Sequence, residues 1–360
     1  MARVSNFTAG PAALPLPVLE EAQAELLDYQ GTGMSIMENS HRSKTFDLVH
    51  NEALDLAREL LGVPTSYDVL FLQGGASQQF ALVPMNFLRP DQSADYIISG
   101  HWSERALEEA RIVGNARIAG TSKADGFMRV PTALELDPAA AYVHMTSNNT
   151  IYGTECFIEP DVGNVPLISD MSSDFMSRRI DVSKYGMIYA GAQKNLGPSG
   201  VALGIIRKDL VERGRTDIPF IFRYGTIATA NSMFNTPPTF AIYLVRGVLR
   251  WLKAQGGLAA IERINLAKAK TLYAAIDASP DYYRCPVEPG SRSHMNAVWR
   301  LPSEALDDRF ASEATNAGLV GLKGHRSVGG MRASLYNAIT QDDVRKLVDF
   351  MAVFRAKNPA

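Results

Sequence analysis

The sequence predicts an α/β protein with a large domain on a mostly parallel sheet and a smaller C-terminal α/β domain. Three observations lead there. Helical and extended segments alternate along the chain, as parallel strands joined by crossover helices require. The extended segments are short apolar runs of the kind that form buried strands. The length, 360 residues, exceeds the roughly 250 to 300 at which one core stops growing, so a second domain is expected.

In chain order, Val18, Leu19, Ala22 and Leu26 give a helix after Pro17 one apolar face, and Leu48, Leu56, Leu60 and Leu61 belong to a second helix. Buried strands are predicted at 68–72, 94–98, 141–145 and 201–206. A long helix over 239–254 carries Tyr243, Leu244, Val248, Trp251 and Leu252 at helical spacing, and Gln255-Gly256-Gly257 stops it. The boundary is placed there, with a large domain over 16–256 and a small one over 257–360. The last helix opens with Thr340-x-x-Asp343, a capping box, ahead of Val344, Leu347, Val348 and Met351.

Composition excludes several classes. Lys+Arg of 36 against Asp+Glu of 38 leaves a formal charge of -2, with no basic run or basic-aromatic stripe to meet nucleic acid. No apolar stretch approaches a membrane span, and the N-terminus has no apolar leader core, so a cytoplasmic protein is expected. Cys156 and Cys285 lack CxxC spacing, and the six histidines form no HExxH, so neither a disulfide framework nor a metal is expected.

The chemistry is concentrated at 185–200, where an apolar run ends in small residues, then Lys194, then Gly197-Pro198-Ser199-Gly200. Small neighbours let a flat ligand approach the backbone. A lysine that loses hydration moves toward the neutral amine that carbonyl chemistry needs, which makes Lys194 a Schiff-base candidate. Upstream, the run 165–169 leads into Asp170, an acid at the carboxyl end of a strand, the edge where open α/β sheets bind ligands. An acid ending one strand and a lysine following the next fit pyridoxal 5'-phosphate (PLP), whose ring nitrogen pairs with a carboxylate. After strand 68–72, Gln73-Gly74-Gly75-Ala76-Ser77 opens a helix whose backbone N–H groups suit a phosphate. Trp102, just beyond strand 94–98, is a candidate to stack on the ring. His41-Arg42, His325-Arg326 and Arg332 lie in Gly/Ser-rich surroundings and suggest a substrate with several negative charges.

With these residues in place the chain resembles the class V PLP-dependent aminotransferase family, in its branch acting on phosphoserine, over nearly its whole length. The resemblance runs from Asn6-Phe7-Thr8-Ala9-Gly10-Pro11-Ala12 and Ser40-His41-Arg42, through 189–195, to 232–239, 323–326 and 329–334. It implies the aspartate-aminotransferase-like fold (fold type I), with segment 1–15 near the active site. Lys194 would bear the cofactor, Asp170 would pair with its ring nitrogen and Trp102 would stack on it. Thr150 and Gln193 would hydrogen-bond it, with Ala76 and Ser77 at its phosphate. Asn235 and Thr236 would reach the cofactor phosphate of a partner subunit, implying a homodimer. Arg332 would take the substrate α-carboxylate, and His41, Arg42, His325 and Arg326 would surround its phosphate or side-chain carboxylate. The implied reaction is transamination between glutamate and 3-phosphohydroxypyruvate, with Lys194 as acid/base. Ser77 stands where many relatives have an arginine, which shifts the anion load toward Arg42. An alternative is another class V activity, of the alanine- or serine-glyoxylate type, which leaves the doubled His-Arg pairs unexplained. A desulfurase usually has histidine where this chain has Gln193.

Overall fold

The computed structural model describes residues 3–359; the first two residues of segment 1–15 and residue 360 of the expected small domain lie outside the described residues. At its centre is a seven-stranded sheet. In chain order its strands are β1 (Tyr67–Leu72), β2 (Ser93–Ile98), β3 (Asn115–Thr121), β4 (Val143–Thr146), β5 (Leu167–Asp170), β6 (Met187–Gly191) and β7 (Ala202–Arg207). They lie side by side in the order β1-β7-β6-β5-β4-β2-β3. Only β7 runs against its neighbours; the others are parallel. The carboxyl ends of the six parallel strands therefore share one edge, and the ligand-binding loops must lie there.

The predicted strands are present to within about two residues. β3 was missed because Asn115–Thr121 has no apolar run: it pairs only with β2 at the sheet edge, and only part of it is buried. In β1, Val69 and Phe71 enter one core while Leu70 and Leu72 enter the other, the period of two that a sheet covered on both faces requires.

Helices α1 (Leu16–Ala24), α2 (Lys44–Leu61) and α5 (Thr239–Ala254) cover one face. Helices α3 (Gly75–Phe87) and α4 (His101–Val113) cover the other. Two expectations are corrected here. Leu48 is 74% exposed, because at about 100° per residue it cannot share the face set by Phe46, Val49, Ala53, Leu56 and Ala57. Leu26 lies beyond α1, which ends at Ala24 and buries only Val18 and Ala22. The predicted helix over 239–254 is present with those bounds.

Beyond Gln255 the helix α6 (Gly257–Asp277) starts at once, with Leu258 and Ile261 in the first core and Ala269, Leu272 and Ile276 in a third. That third core is closed by an antiparallel pair, β8 (Asn296–Trp299) and β9 (Met331–Ser334), and by the last helix, α7 (Gln341–Lys357). The capping box is formed: Thr340 Oγ1 accepts from Asp343 N at 3.1 Å, and the Asp343 carboxylate accepts from Thr340 N at 3.0 Å. Cys156 and Cys285 are both unpaired. No described helix is long and apolar enough to cross a membrane.

Candidate active site

At the carboxyl edge of the sheet lies a cavity of about 440 Å³. Four loops build it. Thr146 ends β4 and Asn148 follows it, Asp170 ends β5 with Ser172 and Ser173 just beyond, and Gln193 and Lys194 follow β6, while Gly74 joins β1 to the first turn of α3 at Gly75, Ala76 and Ser77. Trp102 from the first turn of α4 and Gly10 and Pro11 from the N-terminal segment complete the wall.

Lys194 is held in a tight loop, where Ala192 N donates to Val201 O at 3.0 Å and Gly197 N to Ala192 O at 2.7 Å. Its Nζ donates to Thr150 Oγ1 at 2.7 Å. Lost hydration lowers its pKa from 10.5 to about 8, with the Arg332 charge adding to the drop and the Asp170 charge opposing it. Asp170 is 4% exposed. Its Oδ1 accepts from Ser172 N at 2.9 Å and Ser172 Oγ at 2.6 Å, which leaves Oδ2 as the oxygen free to meet a donor in the cavity. Burial raises the Asp170 pKa, while the Ser172 hydroxyl and the Lys194 charge hold it down. Ser172 Oγ also accepts from Gly191 N at 3.0 Å, tying the end of β5 to the end of β6.

The turn into α3 requires glycine at Gly74, whose φ of +76 is strained for any side chain. The helix ladder begins only at Gln78 N, which donates to Gly74 O. The N–H groups of the first turn are thus orphan donors at the positive end of the helix dipole, beside the cavity. Trp102 has a buried Nε1 without a partner, and its ring lies 6.5 Å from that of Phe80, itself a wall residue.

The residues present fit PLP. A lysine depleted of hydration, an acid with one oxygen uncommitted, an aromatic wall and an anion-binding helix start surround a single cavity of suitable size. The sequence missed the part played by Ser172, whose spacing from Asp170 is the short turn in which a carboxylate accepts a backbone N–H two residues on. It also missed Asn148.

Arg332, on β9, approaches from the other side: its Nη1 donates to Thr150 O at 3.2 Å and its buried Nε has no partner. Burial lowers its pKa. Arg332 lines a second cavity of about 180 Å³ together with Tyr152, Trp299 and Arg300. His325 lies close enough to Arg332 for that charge to help lower its pKa, after burial, and its ring centroid is 6.4 Å from that of His101. Arg326 is exposed.

Thr150, which bonds Lys194, and Arg332, His325 and Arg326 do not line the cavity around Lys194, and four more expected site residues also lie outside its wall. His41 and Arg42 precede α2, with Arg42 exposed and His41 Nε2 buried without a partner. Asn235 and Thr236 are exposed ahead of α5. None of the four lines the cavity around Lys194.

Known proteins resemble this chain over nearly its whole length. The Aminotransferase class-V family model matches residues 4–347. A phosphoserine aminotransferase from Desulfatibacillum aliphaticivorans is 56% identical over 358 residues, 99% of each chain. The solved phosphoserine aminotransferase from Bacillus circulans subsp. alkalophilus superposes with a TM-score of 0.97 at 51% identity, covering 99% of both chains. The PLP-bound phosphoserine aminotransferase from Trichomonas vaginalis gives 0.93 at 41% identity, covering 97% of this chain and 100% of that one. The chain belongs to the class V aminotransferase family, and its fold is that of the PLP-dependent aminotransferases, fold type I.

Proposed function

We propose, from class V membership and the geometry above, a division of labour among the side chains for one reaction. That reaction is the reversible, PLP-dependent transamination between glutamate and 3-phosphohydroxypyruvate, giving O-phospho-L-serine and 2-oxoglutarate, a step of serine biosynthesis. When bound, PLP supplies an electron sink for negative charge developing at the substrate α-carbon.

Lys194 carries the reading, because it alone joins a lowered pKa, a fixed hydrogen bond and a place in the cavity wall beside Asp170. Its Nζ accepts the substrate α-proton, and Thr150 Oγ1 directs that nitrogen. Asp170 pairs with the ring nitrogen, Trp102 covers the ring, and Gln193 and Thr150 hydrogen-bond its substituents. The first turn of α3, at Ala76 and Ser77, holds the phosphate by backbone N–H groups.

Arg332 spends Nη1 on Thr150 O and keeps a buried, unpartnered Nε, so its other edge is left for the substrate α-carboxylate. His325 and Arg326 sit on the substrate side and meet its phosphate or side-chain carboxylate. His41 and Arg42, which do not reach their own cavity, meet that group in the site of a second copy. Asn235 and Thr236 likewise reach the cofactor phosphate of a second copy, which makes a homodimer the functional unit. Residues 257–360 act as a small domain that carries Arg332 to a large domain of residues 16–256, in a cytoplasmic enzyme.

The test is the visible absorbance of the purified holoenzyme before and after glutamate or phosphoserine, added separately. Loss of the visible band with both amino acids supports the assignment, and a band untouched by phosphoserine refutes the anion site. Lys194→Ala should abolish turnover in a folded protein, and full activity there would sink the mechanism.

A further inference from the structure

Thr150 uses both of its oxygens at the site: Oγ1 accepts from Lys194 Nζ at 2.7 Å and its carbonyl accepts from Arg332 Nη1 at 3.2 Å. The spacing between the proton-carrying amine and the carboxylate-binding guanidinium therefore depends on where the backbone at 148–150 sits.

That backbone is held from below by a buried polar network. Asn148 Nδ2 donates to Asn296 Oδ1 at 2.7 Å and to Ser173 Oγ at 2.8 Å, and Asn148 Oδ1 accepts from Ser293 Oγ at 2.6 Å. Asn296 Nδ2 donates onward to Ser334 Oγ at 2.9 Å and to Tyr336 Oη at 3.3 Å. Asn296, Ser293 and Ser334 are each 0% exposed and Asn148 is 2% exposed. Asn296 also faces Ser334 across the ladder of β8 and β9, two residues from Arg332. The bonds close a ring: Thr150, Asn148, Asn296, Ser334, then along β9 to Arg332, and back to the Thr150 carbonyl.

We infer that Asn296 is a positioning residue that sets Arg332 against Lys194 by fixing the 148–150 segment and β9 to each other. This rests on the reading of Arg332 as the carboxylate site. The ring has the marks of a device that fixes geometry. Its polar atoms are paired and dry, so each bond is costly to leave unmade, and the planar carboxamide of Asn296 meets Asn148 with its oxygen and Ser334 with its nitrogen. Arg332 Nε is left out of the pairing, and it is the atom an incoming carboxylate would engage. Asn296 lines neither the cavity around Lys194 nor the one beside Arg332, so its effect reaches the site only through the groups it holds, Asn148 on one side and β9 with Arg332 on the other.

The test uses holoenzyme and succinate, a dicarboxylate with no amine to react, titrated by calorimetry, with PLP affinity measured separately by reconstitution. Asn296→Ala should weaken succinate binding about tenfold, the loss expected for one buried hydrogen-bond partner, while PLP affinity changes by less than about twofold. An unchanged succinate Kd overturns the inference, and so does a parallel loss of succinate and PLP affinity, which marks general loosening. Ser334→Ala, which deletes one acceptor, should give a smaller loss in the same direction if Asn296→Ala does not fold; no loss there overturns the inference equally. Arg332→Ala separates the two levels. If it leaves succinate binding intact, the reading of Arg332 fails; if it weakens binding while Asn296→Ala does not, only the role of Asn296 fails.

Discussion

Replacing Lys194 with methionine should stabilise the cofactor-free protein at neutral pH. Burial lowers the Lys194 pKa from 10.5 to about 8, so the folded state disfavours its ammonium relative to the unfolded chain. At 1.36 kcal/mol for each tenfold step, that difference is a penalty of about 3 kcal/mol. Methionine of similar length removes the penalty but also the donor to Thr150 Oγ1, a loss of about 1 kcal/mol. The net gain at pH 7 is therefore about 2 kcal/mol. Between about 8 and 10.5 the unfolded lysine still binds its proton while the folded one has released it, so the parent gains stability with rising pH across that window. The advantage of the variant is full well below pH 8, shrinks above it, and reverses at about pH 10. Urea denaturation of both apo proteins at equal protomer concentration, compared pairwise at each pH, measures it. A Lys194→Met protein less stable than its parent at pH 7, or a gap independent of pH, refutes the claim that the amine is held against its own charge.

Three further outcomes are expected. Asp170→Asn removes the negative charge that supports the Lys194 ammonium, so the pH midpoint for labelling that amine in the apo protein should fall below about 8; a rise contradicts the pairing. Arg42→Ala should raise the KM for phosphoserine about 10- to 100-fold, the scale of a lost hydrogen bond to a charged group, with Ser77 unable to compensate; an unchanged KM removes Arg42 from the phosphate site. Thr340→Ala breaks the capping box at the start of α7 and should lower the urea midpoint by the equivalent of about 1 kcal/mol without changing KM.

What the sequence made legible is what lies close together along the chain. Lys194 and Asp170 could be read because each ends an apolar run, and a run that ends at the sheet edge delivers its next residue to the cavity. The turn at Gly74 could be read because glycines between a strand and a helix mark an anion-binding start. Leu48 is apolar yet stands roughly 100° round the helix from Val49, so hydrophobicity alone does not reveal that it faces solvent. β3 escaped because an edge strand can do with little apolar surface. His41, Arg42, Asn235 and Thr236 were recognisable only by resemblance, which already pointed Asn235 and Thr236 to a partner subunit, because none of the four lines the cavity of its own chain.

The ring through Asn296 illustrates the opposite case. Ser293 and Asn296 belong to no motif, and Ser334 only ends the run that carries Arg332; small polar residues in such places usually mean a turn or a wet surface. Their role emerges only when β8 lies under the loop that follows β4. Gly153 makes that approach possible: a Cβ there would stand 2.8 Å from Asn296 O, and its φ of +74 already favours glycine. Its carbonyl accepts from Ser293 N at 2.9 Å, and its own N–H donates to Asn149 O at 2.8 Å. Thr150 is thus carried on a turn pressed against the strands that present Arg332, and the hydrogen bond joining them spans 182 positions of sequence. The distance between Lys194 and Arg332 is accordingly set by tertiary packing at a glycine, which is why local pattern finds the chemical groups and misses what spaces them.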